Sequence, residues 1–221
     1  MFRILLMAVL VLAPWAAHAQ TEQQALVDRA TLSVQEMLSD NANEEGRKLL
    51  KDAKGAMVCP RVFKAGFIVG GQGGSCVLVG RKGATWSGPA FYGLGAGSIG
   101  FQIGIQDSQI LFVILTEKGL RALLDSQFQI GANAGVAVAN LGAGITGATT
   151  AALRADVVAF SQNRGLFAGV ALDGSVISSR ADWNQIYYGR PLSVQQIVLD
   201  MQGQNPGAEP LKEMLARFAA P

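Results

Sequence analysis

The sequence has very few of the residues that form catalytic and metal sites. Its 221 residues include one histidine, at position 18, and two cysteines. That histidine lies in an expected leader, and without it the chain can form no Ser-His-Asp triad and no Cys-His pair. Histidine is also the commonest metal ligand, and two cysteines without neighbouring ligands form no structural zinc site. We therefore expect no metal, no cofactor and no enzymatic activity.

Charge and long apolar runs are also scarce. Charged residues make up 15% of the chain and the formal net charge is +2, so bulk electrostatics do not support a nucleic-acid partner. The hydrophobic fraction of 50% excludes a disordered chain, which needs low hydrophobicity and high net charge. After the N-terminal leader, no continuous apolar run reaches the ~20 residues that a membrane-spanning helix requires.

The first residues have the pattern of a secretory signal. Arg3 provides a short positive region, residues 4–13 are apolar, and residues 17–19 form an Ala-His-Ala cleavage site. The alternative, a membrane anchor, needs a longer apolar run. We therefore predict a signal peptide over residues 1–19. The mature chain is expected to be exported, periplasmic or secreted, with peripheral membrane association.

Hydrophobic periodicity divides the rest of the chain into three parts. Residues 20–54 have helical spacing, residues 55–190 form a glycine-rich β core, and residues 191–221 form a C-terminal helical tail. The predicted class is α+β, with a mostly antiparallel curled sheet or small barrel and helices at both ends. Its predicted core residues are Phe67, Trp86, Phe91, Tyr92, Phe101, Phe112, Phe160, Phe167 and Val170.

The two cysteines lie on either side of a glycine-rich stretch. We interpret residues 70–74 as a hairpin turn, which would pair Cys76 near Val69 rather than near Cys59. A disulfide requires Cα atoms within about 7 Å of each other. Although an exported protein allows disulfides, this pairing predicts two buried free thiols.

Two further patterns are interpreted as structural. The G-x-G-x-x-G runs at 95–100 and 142–147 lack the strand-before, helix-after context of a dinucleotide site. A glycosidase would need one selected pair of carboxylates. The candidate carboxylates are Asp107, Asp156, Asp173 and Asp182, and their spacing does not single out any two of them as such a pair.

The near-neutral total charge conceals a strong regional asymmetry. Residues 20–45 carry one basic and six acidic residues, whereas residues 46–82 carry eight basic residues and one acidic residue. At 100° per residue, the basic side chains of the predicted second helix share one face, beside an apolar stripe. This pattern favours an anionic membrane surface, although a solvated face on a packed helix has the same pattern. The predicted lipid-binding residues are Arg47, Lys48, Lys51, Lys54, Arg61 and Lys64.

Several segments, in order along the chain, resemble the SYLF domain family. They are GAMVCPRVFKAGF at 55–67, WSGPAFY at 86–92, GFQIG at 100–104, RGLFAGV at 164–170 and YYG at 187–189. Linked motifs of this kind are more specific than one short pattern. The resemblance implies a lipid-binding module with phosphoinositides as ligands, a lipid site in the N-terminal part and no catalytic residues. Yeast actin-patch relatives also bind actin filaments and carry an SH3 domain, for which this chain has no room.

These observations lead to one expected function and one alternative. The expected function is a non-enzymatic module that recognises anionic phospholipid or phosphoinositide headgroups through its basic N-terminal segment. The alternative is a structural or protein-interaction module, either actin-binding-like or an envelope scaffold, with no lipid ligand. Its protein partner would be unknown, and neither interpretation involves nucleic acid. In its organisation the chain resembles the stand-alone bacterial SYLF form, which is usually exported.

Overall fold

Two very long strands occupy the middle of the chain. The computed structural model describes residues 15–39, 44–125, 127–130, 135–140, 155–164, 172 and 174–220. Its helices are α1 (Trp15–Ser39), α2 (Glu44–Asp52), α3 (Glu117–Leu124), α4 (Ala181–Tyr188), α5 (Val194–Val198) and α6 (Glu209–Phe218), with a 3-10 turn at Pro206–Ala208. Its strands are β1 (Gly55–Lys82), β2 (Thr85–Trp86), β3 (Ala90–Ile114), β4 (Gln127–Gln129), β5 (Val136–Asn140), β6 (Val157–Arg164) and β7 (Val176–Ser179).

Strand β1 folds back on itself. Its partner β3 runs antiparallel beside it over almost its whole length, from Gly55 opposite Ile114 to Leu78 opposite Ala90. The two ends of β1 are also neighbours, because the backbone N–H of Arg81 donates to the carbonyl of Lys54 at 2.8 Å. The β1–β3 register shifts between Gly66 and Ile68, where the bend is centred. The glycine-rich stretch thus continues a bent strand, which explains how 28 residues fit into one small sheet.

The cysteine prediction is wrong. Cys59 and Cys76 face each other across the folded-back strand, with Cα atoms 4.1 Å apart, and form a disulfide. The predicted hairpin turn at 70–74 is wrong for the same reason, since the bend lies nearer the N-terminus and changes which residues are opposed. Close approach of the two halves requires glycine at position 74, because a β-carbon there would overlap the carbonyl of Arg61.

The remaining strands extend the sheet on both sides of this folded pair. The order is β2-β1-β3-β6-β5, with β7 on the first part of β3 and β4 on β7. All pairings are antiparallel except that between β5 and β6. This arrangement confirms the predicted α+β class, with a mostly antiparallel curled sheet and helices at the N- and C-terminal ends. The short strands β2, β4 and β7 were not predicted.

Hydrophobic side chains alternate between two cores, one on each face of the sheet. Val58, Val77, Phe91 and Leu111 point to one face, where α1, α2, α4 and α6 cover them. Residues next to them in sequence point to the other face, where α3 and α5 pack. This alternation follows from the period of two in a strand.

The prediction of buried aromatic residues is confirmed where the structure describes the side chains. Those fully or almost fully buried are Trp86, Phe91, Tyr92, Phe112 and Phe160. The side chains of Phe67 and Phe101, and the residues Phe167 and Val170, lie outside the described part of the chain. Most of the predicted leader, residues 1–14, also lies outside it, and α1 begins at Trp15, before the predicted cleavage site.

Candidate functional site

Helix α2 carries most of the predicted basic surface, and its sequence is arranged for its own stability. Glu44 and Glu45 occupy the first turn and Lys51 the last, so charges of each sign lie at the favourable end of the helix dipole. Gly46 and Leu50 are buried against the sheet. Part of the basic character of this segment therefore has a structural role.

Arg47 and Lys48, two of the six predicted residues, form contacts with neighbouring residues of the N-terminal helices. The guanidinium of Arg47 donates to the carbonyl of Leu38 at 2.6 Å, which ties α2 to the end of α1. The ammonium of Lys48 lies 3.0 Å from a carboxylate oxygen of Glu44, one helical turn earlier, and both side chains are exposed. The hydrogen bond between them raises the pKa of Lys48 and lowers that of Glu44. Exposed pairs of this kind contribute little to stability.

A cluster of exposed lysines lies where α2 ends and the two ends of β1 meet. Arg81 donates from its guanidinium to the carbonyls of Leu50 and Lys51, and so caps the C-terminus of α2. Its backbone also bonds to Lys54, which brings Lys82 to the same end of the sheet. We call Lys51, Lys54 and Lys82 the α2 end. All three are exposed, and their ammonium groups have no partner within the described ranges.

The last two predicted residues lie elsewhere. Arg61 and Lys64 follow Lys54 along β1, and at ~3.3 Å per residue Arg61 is at most about 23 Å from Lys54. The Nε of Arg61 is 2.7 Å from a carboxylate oxygen of Asp107 on β3. Its guanidinium carbon is 6.0 Å from the ring centre of Phe63, which is 41% exposed. The six predicted residues thus have different settings, and lipid binding by them stays a prediction.

An open groove of about 500 Å³ lies beside Arg61. One wall is α1, the other the folded-back β1, and it is lined by Leu26, Arg29, Pro60, Arg61, Phe63, Gly73, Gly74 and Ser75. Arg29 is exposed, and no partner of its side chain occurs in the part of the chain that the structure describes.

Sequence reasoning did not select Arg29, Phe63, Arg81 or Lys82 for the site. Arg81 and Lys82 belong to the same basic segment as the selected residues and could have been included on charge alone. Arg29 is the one cation in an acidic segment and gives no local signal.

The other candidate sites have structural roles where they are described. Asp107, Asp156 and Asp182 each face a cation, at 2.7, 3.0 and 3.8 Å, whereas Asp173 lies outside the described residues. The glycine motif at 95–100 is inside β3 with no helix after it, and the motif at 142–147 is not described. Among the described residues, no group of potential ligands could hold a metal ion, and no helix is long and apolar enough to cross a membrane.

Comparison with known proteins finds one matching family model and several relatives. A family model described as Ysc84, Las17-binding protein actin regulator, matches residues 95–218. Protein YSC84 of Saccharomyces cerevisiae is 32% identical over 171 residues, which cover 76% of this chain and 36% of the yeast protein. The SH3 domain-containing YSC84-like protein 1 of Homo sapiens is 32% identical over 172 residues, 77% of this chain and 50% of the human protein. The chain thus spans between a third and a half of these relatives.

Proposed function

The chain belongs to the Ysc84 family, also known by its SYLF domain, and we propose that it is a non-enzymatic module that binds anionic phospholipid surfaces. The description of this family names a binding protein and no catalytic activity. The observation that carries this proposal is the α2 end. Lys51, Lys54 and Lys82 are exposed and have no partner in the described part of the chain, and the fold-back of β1 gathers them from two distant stretches of sequence. A headgroup can bind an unpaired cation without first breaking an ion pair.

The expected strength of this attachment follows from the number of lysines. Each lysine near an anionic leaflet contributes about 1 kcal/mol. The three lysines of the α2 end therefore supply about 3 kcal/mol, or on the order of 100-fold in affinity. Lys48 lies one turn away and adds to the same field once Glu44 is outcompeted. Since exposed charges are screened over about 10 Å at 0.1 M salt, binding must weaken as salt is added.

The test is co-sedimentation with vesicles that contain phosphatidylglycerol or only phosphatidylcholine. The variant Lys51→Gln/Lys54→Gln/Lys82→Gln should lose on the order of 100-fold in affinity for the anionic vesicles. A control with the same net charge neutralises basic residues on other elements, Arg121→Gln/Arg190→Gln/Lys212→Gln.

The control should retain vesicle binding, because it leaves the α2 end intact. Equal losses in both triple variants would mean that only net charge matters. Unchanged binding by the α2-end variant would reject this site. Equal wild-type binding to neutral and anionic vesicles would reject electrostatic recognition.

A second candidate function is suggested by the family description. The name of one Saccharomyces cerevisiae relative, LAS seventeen-binding protein 3, refers to a protein partner. Under this alternative the chain would bind a protein, such as an actin filament, and no lipid. Co-pelleting with purified actin filaments at physiological salt separates the two proposals, since a lipid module would remain in the supernatant.

We also propose that the protein acts after export to an oxidising compartment. The buried disulfide between Cys59 and Cys76 supports this, because such bonds persist in secreted and periplasmic proteins and are rare in the cytosol. Fractionation of expressing cells, with thiol alkylation before lysis, tests the proposal. Alkylated cysteines in a cytosolic fraction would overturn it.

A further inference from the structure

The groove beside Arg61 is a built feature of the fold. Its walls come from three stretches of chain that only the tertiary structure brings together: Leu26 and Arg29 on α1, residues 60–63, and residues 73–75. The disulfide joins the two β walls at their base, because Cys59 precedes Pro60 and Cys76 follows Ser75. The separation of these walls is therefore fixed covalently, and the groove is already formed before any ligand enters.

The charged groups that line the groove are two guanidinium groups. Arg29 is exposed and unpaired within the described ranges. Arg61 uses Nε to bind Asp107, and its terminal nitrogens have no partner among the residues that the structure describes. Both arginines line the same groove. Each guanidinium group can bind an anion with two parallel hydrogen bonds.

Apart from Ser75 and two glycines, the rest of the lining is apolar. Phe63 leaves 41% of its surface exposed beside Arg61 and Pro60 is half-buried, whereas Leu26 is only 3% exposed. A volume of about 500 Å³ lies within the range of small-molecule sites, roughly 300–1,000 Å³. A groove with cations and an apolar lining fits a molecule that is anionic at one end and hydrocarbon at the other.

We propose that this groove binds a single phosphate monoester that carries a hydrocarbon chain. The phosphate binds to Arg29 and Arg61, and the chain lies against Leu26, Pro60 and Phe63. A phosphate offers three acceptor oxygens and up to two charges, enough for two guanidinium groups, whereas the two oxygens of a carboxylate are satisfied by one. The site shares no residue with the α2 end, and Arg61 is seven residues along the chain from Lys54, at most about 23 Å in an extended strand.

Titration calorimetry with monomeric lysophosphatidic acid tests the proposal. The wild type should bind one molecule, and Arg29→Gln should weaken binding by about 10- to 100-fold, the loss expected for hydrogen bonds to a charged group. Arg29 is exposed and pairs with none of the described residues, so this change should leave the fold intact. The matched control is Leu32→Gln, on the same helix, where the replaced side chain is 63% exposed and is not part of the lining. The control should bind like the wild type.

A second pair of variants tests Arg61 without leaving a carboxylate unpaired. Arg61→Gln/Asp107→Asn removes both members of the ion pair and should weaken binding as Arg29→Gln does. Asp107→Asn alone frees the whole guanidinium and should retain binding or strengthen it. Equal affinity of the wild type and both arginine variants would overturn the proposal.

Two further ligands test which part of the lysolipid the groove recognises, the phosphate or the hydrocarbon chain. Inorganic phosphate should bind at least 10-fold more weakly than the lysolipid, since it lacks the chain; equal binding would overturn an amphiphile site. The uncharged monoacylglycerol should also bind weakly, and equal binding would overturn an anion site.

Arg29→Gln should still bind phosphatidylglycerol vesicles, and the α2-end variant should still bind lysophosphatidic acid. Loss of both activities in either variant would show that the two sites are not separate.

Discussion

Reduction of the Cys59–Cys76 disulfide should destabilise the protein by about 3 kcal/mol. The bond closes a loop with a sequence separation of 17. For a loop of this length, the chain-entropy relation gives a loss of roughly 10 cal/mol/K in the unfolded state, which is about 3 kcal/mol at 25 °C. The sulfur atoms remain in the core after reduction, so the comparison of oxidised and reduced wild type isolates the cross-link from the packing.

The assay is urea unfolding of the same protein with and without dithiothreitol, followed by tryptophan fluorescence. For a domain of this size, 3 kcal/mol corresponds to a decrease of roughly 6–12 °C in melting temperature. The variant Cys59→Ala/Cys76→Ala should be less stable than the reduced wild type, because both sulfur positions are completely buried and truncation leaves a cavity.

Two results would refute this reasoning. One is a difference of less than about 0.5 kcal/mol between oxidised and reduced protein, which would mean that β3 holds the two halves of β1 together even in the unfolded chain. The other is a count of two free thiols in the denatured, unreduced protein, which would show that the bond does not form.

Two further predictions concern close contacts and pH. Gly80→Ala should lower the free energy of unfolding in urea by about 1–3 kcal/mol, because a β-carbon there would lie 2.7 Å from a carbonyl oxygen of α5. The control Gly93→Ala should be tolerated, because a β-carbon at that position would have no atom within 4 Å. Asp156→Asn should cost about 1 kcal/mol near pH 7. The hydroxyl of Thr116, and then Lys118, hold the pKa of Asp156 below its usual range. The carboxylate therefore stabilises the fold above the usual pKa of an aspartate, and this benefit is lost as the pH falls through the lowered pKa. Unfolding of wild type and variant at neutral and at acid pH checks the sign, and a difference that grows in acid would contradict it.

Local patterns in the sequence predicted the fold class, the helices at the two ends of the chain and those buried aromatic residues that the structure describes, because each depends on short-range periodicity. The bend in β1 could not be predicted in this way. Residues 70–74 contain four glycines and locally favour a tight turn. The pairs Lys54–Arg81 and Cys59–Cys76 instead place the centre of the bend between residues 67 and 68. That position is chosen by pairing with β3, a contact between distant residues that no local pattern encodes.

The same distinction explains which part of the candidate site could be predicted. The α2 end was partly predictable, because Lys51 and Lys54 are close in sequence and helical phasing places them together. Arg29 and Arg61 become neighbours only because α1 packs over the folded-back strand, and Arg29 lies in a segment that is otherwise acidic. The net charge of the segment hides such a residue, whereas an anionic ligand would bind to it directly. The fold-back of β1 creates both the disulfide and one wall of the groove. If the groove binds its phosphate ester, the wrong prediction about the cysteines and the failure to select Arg29 therefore have the same cause.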